Sequence, residues 1–517
     1  MSAIVETRCG KLQGVDENGL TVFRGVPYAR PPVGVLRLRA PRPPEPWAGV
    51  RDASRLGCSA WQNASVLGPM IGFDVGEMSE DCLFLNIWTP ACDGARRPVL
   101  VWIHGGAFIL GSSSQSLYDG ATMARRGDVV VVTLNYRLGS LGFLHLRDVC
   151  GDALPATGNE GILDQIAALA WVRDEIAAFG GDPGNVTLFG ESAGSISVAT
   201  LLGTPRAQGL FRRAILQSGA ANFVASREQA ALVTDTFLRA LDLTPSPHVA
   251  RALQEMPAAK MMGAQQQTFL ALQARTRGLP FAPTLDGEVL PRHPFEAIRD
   301  GSAKDVAVLV GTNLDEMKLF GLMDPEARTL DDAKLLKRCE RAIPGNNPAG
   351  VSRARVAIDT YCRARAGRGE PTAPPDLWFA IDSDRAFRYP AMLLAEMQRT
   401  HQPHTYAYLF TWPSPFLEGV LGACHALELP FVFGTLADPL LANFSGSGPG
   451  ADALAERIQD AWLAFARVSD PAHPGIGSWP AYDAERRATM LLGCECRVEN
   501  APREEERQVW EFWDGRG

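Results

Sequence analysis

The chain has 517 residues, 46% of them hydrophobic and 21% charged, with a formal net charge of −8. That is apolar content for a large core, and the negative balance argues against a nucleic-acid partner, which would want a basic face. No uninterrupted apolar run is long enough to span a bilayer, and Met1–Arg8 lacks the basic start and apolar run of a secretion signal, so a cytoplasmic chain without a membrane anchor is expected. The ten cysteines are scattered without a C-x-x-C pair, which predicts that most are free thiols and that they form no zinc site.

To about residue 57, short strand-like runs such as Thr21–Tyr28 alternate with prolines. This predicts a small antiparallel entry sheet and a covering loop. A loop of little periodicity runs from Cys58 to Cys82; then Leu83, Leu85 and Ile87 alternate with Phe84 and Asn86, a strand pattern. Pro98–Ile103 is fully apolar and reads as a buried strand. It breaks at His104-Gly105-Gly106-Ala107-Phe108, whose unhindered N–H groups could face a developing oxyanion. Asp128–Tyr136 is another buried strand. Ile162, Ile166, Leu169, Val172 and Ile176 recur at helical spacing, and Gly180-Gly181 with Asp182-Pro183-Gly184 ends that helix in a turn.

Val186–Phe189 then runs as a strand into Gly190-Glu191-Ser192-Ala193-Gly194, and Ser195–Leu202 follows as a helix. This is a G-x-S-x-G elbow. The tight turn has no room for side chains at its flanks, lifts Ser192 Oγ above the sheet edge and puts the Ala193 N–H at a helix N-terminus, where an anionic oxygen is favoured. Strand, helix, strand is the βαβ unit of a parallel sheet. Beyond it, Ala214–Gly219 is a strand and residues 225–275 are mostly helical. Asp305–Val310 is a strand ending at Gly311-Thr312-Asn313-Leu314-Asp315-Glu316. Residues 320–400 form a polar helical insertion, the natural place for a lid or cap. His404–Phe410 is the last clear strand, Gly422–Pro430 a loop, and a helix from about Ala451 to Arg467 precedes a turn-rich tail. The chain reads as a single domain, residues 1–517.

A serine nucleophile needs a histidine base and a carboxylate to orient it, and in this sheet type the order is Ser, acid, His. Asp315 and Glu316 both follow a buried strand, and position alone does not separate them. Of the later histidines, His248 and His293 precede any such acid. His401 and His404 stand at the wrong end of a strand, and His473 lies in the tail. His425, in the loop after His404–Phe410, is the best-placed base.

Phe179–Gly194 and Glu80–Ile87 resemble the two signature stretches of the carboxylesterase/cholinesterase (type-B carboxylesterase) family, which includes bacterial para-nitrobenzyl esterases. Phe23–Ala29, Asn135–Gly139 and Trp479–Tyr482 resemble further family segments. The resemblance implies an α/β-hydrolase fold, a mostly parallel sheet flanked by helices, with a catalytic triad of Ser192, Glu316 and His425. It implies an oxyanion hole of the Gly106, Ala107 and Ala193 N–H groups, the Gly-Gly-Ala loop type whose bearers can accept bulky, even tertiary, alcohol esters. It matches Phe108, Leu319 and Phe320 to pocket-lining positions. Met317 departs from the glycine usual after the triad acid. Met70-Ile71-Gly72-Phe73 lacks the tryptophan with which cholinesterases bind a quaternary ammonium, so choline esters are not expected. Secreted relatives join the cysteines matching Cys58 and Cys82; whether this chain does is left open, as is its oligomeric state.

The expected activity is therefore hydrolysis of a small-molecule carboxylic ester through an acyl-enzyme, without metal or organic cofactor. Amide or carbamate hydrolysis by the same residues is the first alternative. A non-catalytic binding protein on the same fold is the second, disfavoured by a filled triad.

Overall fold

The computed structural model describes residues 3–65, 74–273, 275–276, 278–346 and 350–511. The cholinesterase tryptophan position falls within residues 66–73, outside the described residues. Among the described residues, fourteen strands form two sheets. The small one contains β1 (Ile4–Thr7), β2 (Gly10–Gln13) and β5 (Val50–Asp52). The large, 11-stranded sheet takes β3 (Val15–Glu17), β4 (Leu20–Pro27), β6 (Phe84–Thr89), β7 (Arg97–Ile103), β8 (Val130–Leu134), β9 (Gly181–Glu191), β10 (Arg213–Gln217), β11 (Ala307–Asn313), β12 (Thr405–Phe410), β13 (Ala488–Leu492) and β14 (Arg497–Asn500). Their order is β14-β13-β12-β11-β10-β9-β7-β8-β6-β4-β3.

From β8 across to β13 every pairing is parallel, and antiparallel strands close both edges. The central strands are apolar on both faces because helices cover both. Val99, Val101 and Ile103 of β7 point into one core and Leu100 and Trp102 into the other, the period-two alternation of a strand. A third, smaller core lies within the helical insertion. It joins the helices Asp332–Ala342, Arg353–Gly367 and Pro374–Ser383 to Val509 and Trp510 of the C-terminal helix Glu504–Glu511.

The structure amends the chain reading in three places. Residues 21–28 do not belong to the entry sheet: β4 pairs with β6 in the large sheet, and β2 pairs with β5 in parallel. The Asp182-Pro183-Gly184 turn is a bulge inside β9, where the register against β7 jumps from Arg97↔Gly181 to Val99↔Val186. Finally, β12 is not the last strand: the tail adds β13 beside it and β14 at the edge.

Register fixes the site. Ile103 of β7 is level with Gly190 of β9, and Gln217 of β10 is level with both Glu191 and Gly311. The loops leaving β7, β9 and β11 therefore emerge together at the C-terminal edge, where parallel sheets place their chemistry. All ten cysteines are free, Cys58 and Cys82 included. Among the described residues no helix is long and apolar enough to cross a membrane, and no metal-ligating cluster occurs.

Candidate active site

The elbow has no spare volume. A Cβ on Gly190 would come within 2.6 Å of the Gly194 carbonyl carbon, and one on Gly194 would run into the Ile103 carbonyl oxygen. Neither glycine has a positive φ, so close packing, not backbone freedom, excludes side chains there. Ser192 itself is strained, with φ 55° and ψ −122°, a region that non-glycine residues occupy at a cost of about 1–3 kcal/mol. The turn is held by its neighbours: the Ser192 N–H donates to the Gln217 carbonyl at 2.9 Å, and the Ile196 N–H donates to the Ser192 carbonyl at 2.9 Å. Ala193 opens the elbow helix Ala193–Gly203, so its N–H has no intrahelical acceptor.

The loop after β7 abuts this elbow. A Cβ on Gly105 would lie 2.8 Å from Glu191 Oε2 and 3.1 Å from Ser192 Cβ. Gly106 has φ 110°, and Ala107 and Phe108 follow in the left-handed region at 54° and 61°. The Gly106 carbonyl accepts the N–H groups of Ile109 and Leu110 at 3.0 and 2.8 Å, which fixes the turn. Among the described residues, the Gly106 and Ala107 N–H groups donate to no protein acceptor. His104, at the head of the loop, is buried and stacked on Tyr136 at 4.6 Å. Burial pushes its pKa down to about 4, so it is a neutral part of the scaffold.

His425 is fully enclosed. Its Nδ1 lies 2.6 Å from Glu316 Oε2, and its N–H donates to the Glu316 carbonyl at 3.4 Å. Glu316 is itself buried, its Oε1 accepting the Asn313 N–H at 2.8 Å. Geometry thus separates the adjacent acids. Asp315 pairs with Lys318 at 2.9 Å and accepts the Ala423 N–H at 3.0 Å, anchoring the loop that carries His425. On its other side, His425 Nε2 lies 3.0 Å from Glu191 Oε1. Burial alone would lower the His425 pKa, but the charges of Glu191 and Glu316 overcome it and raise it well above the usual imidazole range.

Of the expected pocket residues, Phe320 reaches the site, its ring 5.0 Å from the imidazole. Phe108 is fully buried against Phe143 at 4.8 Å, and Leu319 packs in the core beneath the loop. Three residues escaped the sequence reading. Glu191 sits inside the elbow motif, yet nothing in its spacing says that it turns toward His425. Glu428 stands three residues after His425, a visible signal; its carboxylate accepts from Gln217 Nε2 at 3.0 Å and Asn313 Nδ2 at 2.6 Å. Burial, with the charges of Glu191 and Glu316, pushes it up to about 7. Phe387 comes from the insertion, on a π-helical turn Asp384–Arg388, and lies 4.9 Å from the imidazole. Such turns recur at functional sites, but a sequence does not announce them.

A serine forced into a strained elbow beside free amides, with a buried carboxylate-bound imidazole one loop away, defines a class: the serine hydrolases of the α/β-hydrolase fold. The carboxylesterase family profile matches residues 1–510, and the chain belongs to that family. It is 39% identical to the para-nitrobenzyl esterase of Bacillus subtilis over 98% of both chains. It is 37% identical to the phenmedipham hydrolase of Pseudarthrobacter oxydans over 95% of each. Among solved structures, a Geobacillus stearothermophilus carboxylesterase superposes with a TM-score of 0.86 at 42% identity, covering 98% of this chain and 99% of that one. A thermophilic para-nitrobenzyl esterase gives 0.86 at 38%, covering 98% and 100%. The protein is a carboxylesterase, a serine hydrolase of carboxylic esters.

Proposed function

We propose that Ser192, His425 and Glu316 are the triad of this esterase and that the N–H groups of Gly106, Ala107 and Ala193 form its oxyanion hole. The observation that carries the assignment is the 2.6 Å contact between buried Glu316 and His425, on a loop level with the strained Ser192. In the reaction His425 Nε2 exchanges its contact with Glu191 for Ser192 Oγ and takes its proton as Oγ attacks the ester carbonyl. Glu316 holds the imidazole by Nδ1 and stabilises its charged form. The amides take up the oxyanion charge. The alcohol leaves with the proton from His425, and water repeats the steps on the acyl-enzyme to release the acid. Phe320 and Phe387 wall the reacting group, with Phe108 and Leu319 as further pocket-lining residues.

The test is hydrolysis of para-nitrophenyl acetate, butyrate and decanoate. Ser192→Ala should lose turnover on the order of a million-fold. Glu316→Gln should lose about 10⁴-fold, because the imidazole is no longer held in its working tautomer. Wild-type turnover by Ser192→Ala would overturn the assignment. Matched para-nitrophenyl ester and anilide substrates separate ester from amide hydrolysis by the same atoms, and tert-butyl acetate tests whether the Gly-Gly-Ala loop admits tertiary alcohol esters.

A further inference from the structure

A cleft of 820 Å³ lies outside the catalytic machinery, between the N-terminal segment and the start of β6. None of the triad or oxyanion residues lines it. Its volume is within the range of small-molecule sites, about 300–1,000 Å³. Its walls combine two chemistries. Pro27, Pro31, Val33, Val35 and Phe84 supply apolar surface, and Val33 and Val35 stand exposed at its lip, 45% and 77% accessible. Arg30, Arg39, Arg42 and Arg51 supply charge against Glu45 and Asp81, in a chain whose overall balance is −8.

The charges do not cancel. Arg30 pairs with Glu45. Asp81, its carboxyl raised by burial, is drawn back by Arg51. Arg39 is held instead by two main-chain carbonyls, Val35 at 3.0 Å and Ala153 at 2.6 Å. These fix the guanidinium in place without neutralising it. Arg42 makes no ion pair among the described residues. Trp47 gives a rigid flat wall. Its main-chain N–H donates to the Cys9 carbonyl at 2.7 Å, its indole N–H donates to the Lys11 carbonyl at 3.0 Å, and Arg51 lies 5.6 Å from its ring centroid. A Cβ on Gly10 would come within 2.5 Å of its indole nitrogen, so the ring is seated flush on the backbone.

We propose that this cleft is a binding site for a small anionic amphiphile, a medium-chain carboxylate, with its chain along the proline, valine and tryptophan wall and its head group on Arg39 and Arg42. A guanidinium held without a carboxylate is free to take one from the ligand, and an Arg–carboxylate contact is charge-assisted and directional. The apolar wall selects a carboxylate with a chain over a bare anion.

The experiment is calorimetric titration of the full-length enzyme with sodium decanoate below its micelle concentration, with decanol and sodium acetate as controls. The expected result is one saturable site for decanoate, at least tenfold weaker binding of both controls, and weakening by added salt. Arg39→Gln/Arg42→Gln should bind decanoate at least tenfold more weakly, with para-nitrophenyl acetate turnover and melting temperature unchanged. Trp47→Leu, which keeps an apolar side chain, should weaken decanoate without making binding less salt-dependent. Equal binding by wild type and the double arginine variant, or equal binding of decanol and decanoate, overturns the proposal. So does arginine-dependent binding to anionic phospholipid vesicles without binding of monomeric decanoate, which would make the cleft a membrane contact. None of these outcomes depends on the triad assignment.

Discussion

His425 lies between two carboxylates, Glu316 at 2.6 Å on Nδ1 and Glu191 at 3.0 Å on Nε2, and the second contact has a kinetic signature. Both negative charges raise the imidazole pKa against the effect of burial. If His425 is the base as proposed, it must be unprotonated to accept the Ser192 proton, and the acid limb of kcat/KM reports its pKa in the free enzyme. Removing the Glu191 charge lowers the pKa. Glu191→Gln should therefore move the acid limb to lower pH; a limb that stays in place would show that Glu191 does not face the working histidine. Asp315→Asn tests the neighbouring acid in the opposite sense. It should keep the pH profile and lose only the Lys318 pair and part of the loop anchoring.

The strands and turns around these residues show what a sequence makes legible. The elbow, the amide-rich loop and the parallel strands are local patterns: apolar runs ending in glycine, with order along the chain giving their roles. Glu191 and Phe387 were not legible because their roles depend on where side chains from separate segments meet. β13 and β14 were missed because the tail that carries them is crowded with turn residues, and they become strands by pairing at the end of a sheet already built. Gly194→Ala must displace the Ile103 carbonyl and with it the oxyanion loop. Since a misplacement of about 1 Å costs about 100-fold in rate, kcat on para-nitrophenyl butyrate should fall by at least that much while circular dichroism stays native. Arg388 makes two 2.6 Å bonds to buried Asp384 and one of 3.1 Å to the Pro502 carbonyl. Arg388→Ala leaves Asp384 without its cation and should destabilise the fold by about 3–5 kcal/mol in urea unfolding.

For the molecule as a whole, the shifted carboxyl groups predict a stability optimum on the acid side of neutrality. The hydrogen bond from Arg227 holds Asp148 down at about 2. Glu370, against the opposing effect of burial, is held at about 2 by Arg503 and Arg368. Both pairings stabilise the fold above the unfolded carboxylate range and are lost as pH falls from about 4.5 toward about 2. Buried Glu160 and Glu428 sit at about 7 instead. Their contribution is full below about 4.5, the value for an exposed carboxyl, and is lost as pH rises toward about 7. Scanning calorimetry at one scan rate should therefore show the melting temperature peaking near pH 5 and falling on both sides, away from the pH at which His425 is free to act. A melting temperature that rises steadily from pH 5 to 8 would contradict this assignment of charges. The third core adds a consequence in time. The insertion that brings Phe387 against His425 is completed by the helix Glu504–Glu511, through Trp510 donating to Tyr361 Oη at 2.8 Å and Tyr361 donating to Asp384 at 2.5 Å. On a ribosome, Ser192, Glu316 and His425 emerge long before that helix does. In chain order the proposed triad residues precede this helix, so the wall that holds Phe387 is closed by a segment that follows them.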